Sequence, residues 1–118
     1  MSTATLSDKT TLIASGTNLS AAVPLDGGMP AAVSIPAGWT AAALTFQASI
    51  DGGLTFFDFY DKAATEYAVS VTANRIFILP LNDLAGLTHL KLRSGTSATP
   101  ITQTADRVIM LGLRMVSR

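Results

Sequence analysis

Residues 41–60 read AAALTFQASIDGGLTFFDFY, and this stretch decides the fold. From Leu44 onward the residues alternate: Leu44, Phe46, Ala48 and Ile50 fall on one face, and Thr45, Gln47 and Ser49 on the other. A period of two marks a strand with one side turned to a core. Asp51-Gly52-Gly53 follows at once, a turn sequence because glycine enters the left-handed region at no steric cost. Thr55–Tyr60 then returns, so a strand over Ala41–Ile50 and its neighbour form a hairpin.

The same grammar recurs on both sides. Strands are expected at Thr10–Ala14, Ala21–Leu25, Ala31–Ile35, Tyr67–Val71, Arg75–Leu79, His89–Arg93 and Arg107–Met115. Between them lie Ser15-Gly16, Asp26-Gly27-Gly28, Pro36-Ala37-Gly38, Asp61–Thr65 and Ala73-Asn74, all of turn-forming composition. Pro80–Gly86 reads as a bend or a single helical turn, and Ser94–Thr104 as a long Ser/Thr/Gly/Pro loop. In His89–Arg93, Leu90 and Leu92 point inward, with His89, Lys91 and Arg93 outward. The last strand puts Ile109, Leu111, Leu113 and Met115 on one face and is apolar on both faces in its middle, which suits a central strand.

No segment sustains the three-to-four-residue spacing of an amphipathic helix. The alanine-rich stretches sit among Val, Ile, Pro, Gly and Thr, and read as strands with small side chains. Short strands at this spacing predict an all-β fold: a single-domain antiparallel β-sandwich, jelly-roll-like, of about eight strands. Residues 1–30 are expected to form a low-charge N-terminal arm with the first strands, and residues 31–118 the sandwich body, one domain overall.

At 118 residues the chain can bury one core without covalent staples, and it has no cysteine. Eight basic residues balance eight acidic ones, and only 14% of the chain is charged, against about 25% in an ordinary soluble domain. Mean hydropathy is +0.40. No apolar run suits a membrane helix, and the first residues, MSTATLSDKTTLIASG, lack the pattern of a signal peptide. A chain this poor in charge is expected to bury surface against other protein chains. The basic residues gather toward the C-terminus, but no basic run interleaved with aromatics predicts nucleic-acid binding.

Chemistry-bearing patterns are scarce. Asp51, Asp58 and Asp61 fall close together without the spacing of a calcium loop. His89 is the only histidine, and no nucleotide-binding, metal-ligand or Ser-His-Asp pattern is present. The chain is therefore read as a non-enzyme with no catalytic residue, no metal site and no cofactor. Trp39, the only tryptophan, has two readings: a core plug at one end of the sandwich, or a sugar-stacking platform with the nearby Phe56, Phe57, Phe59 and Tyr60.

Ser49-Ile50-Asp51-Gly52-Gly53-Leu54-Thr55-Phe56 resembles the Asp box of sialidase-like propellers. The resemblance implies a structural hairpin clip, with Ser49, Asp51, Gly52 and Gly53 forming the turn and the aromatic packing beneath. One copy cannot build a propeller, which needs repeated blades. On a larger scale, Ile35–Tyr60, then Leu90–Thr96 (LKLRSGT) and Ala105–Arg114 (ADRVIMLGLR), resemble small structural proteins of tailed bacteriophages and prophages. That resemblance implies a virion structural protein, foremost a capsid decoration protein bound in many copies to the major capsid protein. It further implies a homo-oligomer, often a trimer, located in the virion and assembled in the host cytoplasm, with no nucleic-acid or membrane partner. The outward Arg93, Arg107 and Arg114, the loop Ser94–Thr104 and the N-terminal segment are the expected assembly surface. The same strand–turn feature resembles carbohydrate-binding sandwiches, so the alternatives are a glycan-binding module for host attachment, through Trp39, and a tail- or connector-associated structural protein.

Overall fold

The computed structural model describes residues 3–80 and 82–117; Leu81 of the expected bend, and residues 1, 2 and 118 at the ends, lie outside them. Nine strands form among the described residues: β1 Thr3–Ile13, β2 Val23–Pro24, β3 Met29–Ile35, β4 Leu44–Ser49, β5 Phe57–Asp58, β6 Ala68–Val69, β7 Arg75–Ile78, β8 His89–Ser94 and β9 Arg107–Ser117. They make two antiparallel sheets. Sheet A runs β1-β9-β3-β7, and sheet B runs β2-β8-β4-β5, with β6 also on β4. From β1 to β4 the chain changes sheet at every connection, and it does so again from β6 to β9. That wrapping is a jelly roll.

The core lies between the sheets. Leu44 and Phe46 of β4, Leu90 and Leu92 of β8, Val33 and Ile35 of β3, and Ile109, Leu111 and Leu113 of β9 all interdigitate there. β9 is central in sheet A, between β1 and β3. Its other face, Val108 and Met110, is exposed.

Several boundaries differ from the sequence reading. The alternation in β4 stops at Ser49, because the turn claims that side chain as a hydrogen-bonding group. Ile50, expected beside Phe46, is consequently 77% exposed. β5 and β6 occupy one edge position. Phe57–Asp58 pairs with Gln47–Ala48 and Ala68–Val69 with Leu44–Thr45, while the residues between loop outward and close at a Tyr60–Glu66 bridge. Both expected strands, Thr55–Tyr60 and Tyr67–Val71, are shortened by this excursion. At the N-terminus no separate arm precedes the first strand in the described residues: β1 starts at Thr3 and pairs with β9 over eleven positions.

Candidate functional site

The turn after β4 is built as its sequence implies. The Ser49 hydroxyl donates to Asp51 Oδ1 at 2.7 Å and accepts from the Gly53 amide at 3.0 Å. Asp51 Oδ1 also accepts from the Thr55 amide at 3.0 Å. Gly52 and Gly53 sit at φ +77° and +89°, where a side chain would strain the backbone. Donation from the Ser49 hydroxyl, then from Thr55, holds the Asp51 carboxyl down at about 2. Thr88 locks the clip to the start of β8: its hydroxyl accepts from the Gly52 amide and donates to the Ser49 carbonyl. Phe56 packs under Lys91, whose ammonium lies 4.4 Å from the ring centroid, a cation–π contact.

The three aspartates of the calcium reading are spent separately. Asp51 holds the clip, Asp58 accepts from Arg93, and Asp61 accepts from the Ala63 and Thr65 amides of its own turn. No cluster of three His, Cys, Asp or Glu side chains fit to hold a metal occurs among the described residues.

Two of the three expected assembly arginines are buried. Arg93 is 5% exposed. Its Nε donates to Thr45 Oγ1 at 3.0 Å, Nη1 to Asp58 at 2.9 Å and Nη2 to Glu66 at 2.8 Å. Glu66 also accepts from the Ser97 amide, so the network ties the Tyr60–Glu66 excursion and the loop after β8 to the sheet. Arg93 does stand on the face opposite Leu92, as alternation requires; that face is simply covered. Arg107 is 8% exposed and donates from Nε to Gln103 Oε1 at 3.0 Å. Gln103 is fully buried and bridges Thr40, Ser94 and Arg107. It is a hub the sequence hides, since one glutamine in a polar loop carries no periodicity. The Ser94–Thr104 loop is correspondingly closed on itself, through Ile101 to Ser94 and Thr96 to Thr99 backbone bonds. Arg114 alone of the three is exposed.

Trp39 is 6% exposed, belongs to the core, and donates from Nε1 to the Ala42 carbonyl. The core-plug reading therefore holds for its side chain; it offers no open ring face for a sugar.

Large apolar side chains are exposed in two places, around Ile50, Leu54 and Phe57 beside sheet B and, over more strands, on the outer face of sheet A. Leu12 stands beside Val108, and Thr10 beside Met110. Ser34 lies opposite Ile76, and Ala32 bridges Gly112 and Ile78. Asp8 flanks Gly112, and Leu6 flanks Arg114. Ile78 is 84% exposed and Leu6 88%, with Ile76, Val108 and Met110 also exposed. Gly112 and Ala32 leave an apolar hollow of about 190 Å³ bordered by Met110 and Ile76. Four strands and four rows of side chains at sheet spacing span roughly 500 Å². Asp8 and Arg114 are the charged residues on those rows. A patch of this size matches the largest apolar patch on an ordinary monomer, and such patches are often functional. The sequence reading took the apolar residues on both faces of the last strand as the sign of a central strand and did not place them, or those of Arg75–Leu79, on an open face.

The fold is thus a jelly-roll β-sandwich whose candidate site is a sheet face. Comparison with known proteins returns no matching family model, no matching curated protein and no matching solved structure.

Proposed function

We propose that the protein is a virion structural protein, a capsid decoration protein that binds the assembled head in many copies through the outer face of sheet A. The observation that carries this reading is that face: largely apolar, with Asp8 and Arg114 its charged residues, and of a size at which exposed patches are often functional. The low charge of the whole chain supports it. Jelly rolls recur in capsid and lectin domains, which is support by analogy of fold alone. The resemblance of the Ile35–Tyr60, Leu90–Thr96 and Ala105–Arg114 segments to phage structural proteins supplies the word virion.

On this reading the partner is the major capsid protein. Many weak contacts, repeated over a lattice, give tight retention without any single strong site. No reaction and no cofactor are assigned. Arg114, at the rim of the face, is the charge that fits an acidic spot on the shell.

The test is co-sedimentation with empty, undecorated phage shells built of major capsid protein. Wild-type protein is expected to pellet with shells at a fixed stoichiometry, and Met110→Lys/Ile78→Lys to remain in the supernatant. Pelleting with tails or connectors instead would favour the tail-associated role. Failure to bind shells, or equal binding by the double variant, contradicts the proposal.

A further inference from the structure

We propose that the cleft between the Tyr60–Glu66 excursion and the bend after β7 is a binding site for a neutral saccharide. The cleft holds about 530 Å³, inside the roughly 300–1,000 Å³ of small-ligand sites. It shares no lining residue with the outer face of sheet A, so saccharide binding and shell binding succeed or fail separately.

Each wall is fixed by its own backbone. On one side the Asp61 amide donates to the Thr65 carbonyl, and Asp61 Oδ1 accepts from the Ala63 and Thr65 amides at 2.8 and 3.1 Å. Arg93 holds the end of that excursion through Glu66. On the other side the Asp83 amide donates to the Pro80 carbonyl. The Tyr67 hydroxyl crosses between the walls and donates to Asp83 Oδ2 at 2.8 Å. Burial, then this bond to Asp83, pushes the Tyr67 pKa up, so the hydroxyl stays a donor. A site held in this way loses little conformational freedom when it fills.

The ligand class follows from what the cleft offers. Phe59 and Tyr67 lean on the core with ring centroids 5.3 Å apart, and Tyr60 is 49% exposed. Among the described residues, Asp61 Oδ2 and Asp83 Oδ1 accept no hydrogen bond. The Tyr60 hydroxyl, Lys62 ammonium and Asn82 amide likewise have no side-chain partner there. Acceptors and donors therefore stand side by side, next to aromatic rings. A hydroxyl both donates and accepts, and its bond to a carboxylate is charge-assisted. A sugar ring carries hydroxyls on its rim and C–H groups on its faces, which suit the negative face of an aromatic ring. A phosphate-bearing ligand would meet two carboxylates against one ammonium. A wholly apolar ligand would strip water from these polar groups and return no bond. The sequence reading tied sugar binding to Trp39, which is buried; of the aromatics named beside it, Phe59 and Tyr60 line this cleft.

The test is an amide NMR titration of the full chain with the methyl glycosides of glucose, galactose, mannose and N-acetylglucosamine. Additions up to about 20 mM read dissociation constants near 1 mM. At least one glycoside is expected to shift the amides of Tyr60, Lys62 and Asp83 to saturation. Tyr60→Ala and Asn82→Ala replace exposed side chains. Both are expected to keep the wild-type urea midpoint and to weaken binding by about tenfold or more, while Met110→Lys leaves binding unchanged. A lysine-rich peptide titrated in parallel reads the cationic alternative. No shift with any glycoside, shifts confined to other surfaces, wild-type affinity in both alanine variants, or a response to the peptide alone would overturn the inference.

Discussion

Asp51 does its work as an ionised group. One carboxylate oxygen takes the Ser49 hydroxyl and the Thr55 amide, and these donors hold its pKa at about 2, below the roughly 3.9 of an unstructured aspartate. A folded-state value that is lowered contributes stability above the unfolded pKa, and that contribution disappears as pH falls through the folded one. The chain is therefore expected to lose stability between about pH 4 and pH 2, followed as the urea midpoint. Asp51→Asn is expected to be less stable at neutral pH and to flatten this part of the profile. An unchanged slope in the variant would mean that other carboxylates carry the acid sensitivity. This residue was legible from sequence because Ser-x-Asp-Gly-Gly is local chemistry, complete within five positions. Arg107 and Gln103 were not, because their bond depends on where a loop folds back.

Strand centres were legible where a period of two coincided with a buried face, as in Leu90 and Leu92 or Ile109, Leu111 and Leu113. Alternation tells which side a residue faces; it does not tell whether that side is covered. Arg93 makes the point. It projects from the outer face of sheet B, yet the excursion between β5 and β6 brings Glu66 over it. The pairing holds this edge element on the sheet. Arg93→Met is expected to cost about 2–3 kcal/mol, below the range for a fully buried pair because Asp58 retains access to water. Chemical denaturation measures the cost. Proteolysis in the Tyr60–Glu66 segment is expected to accelerate in the same variant, and a loss of stability without local cleavage would show that the network does not anchor the excursion. The ends of β5 and β6 were illegible for the same reason: a seven-residue detour leaves no mark on the apolar pattern of its flanks.

At the scale of the whole molecule, the distinctive surface is the apolar outer face of sheet A. A β-sandwich, though not its jelly-roll strand order, could be read from strand spacing and turns, and the expectation of an apolar contact surface from the low charge. The location of that surface could not. It depends on β7 lying at the sheet's far edge with Ile76 and Ile78 facing out, a consequence of strand order that no local pattern encodes. Met110 is the built-in reporter, half exposed at the centre of the face and beside the hollow over Gly112. Oxidative footprinting of Met110 in the free protein and on assembled shells tests the central claim most directly. The proposal predicts ready oxidation to the sulfoxide in solution and strong protection once bound. Equal oxidation in both states, with protection falling instead on the sheet B side around Leu54 and Phe57, would contradict it.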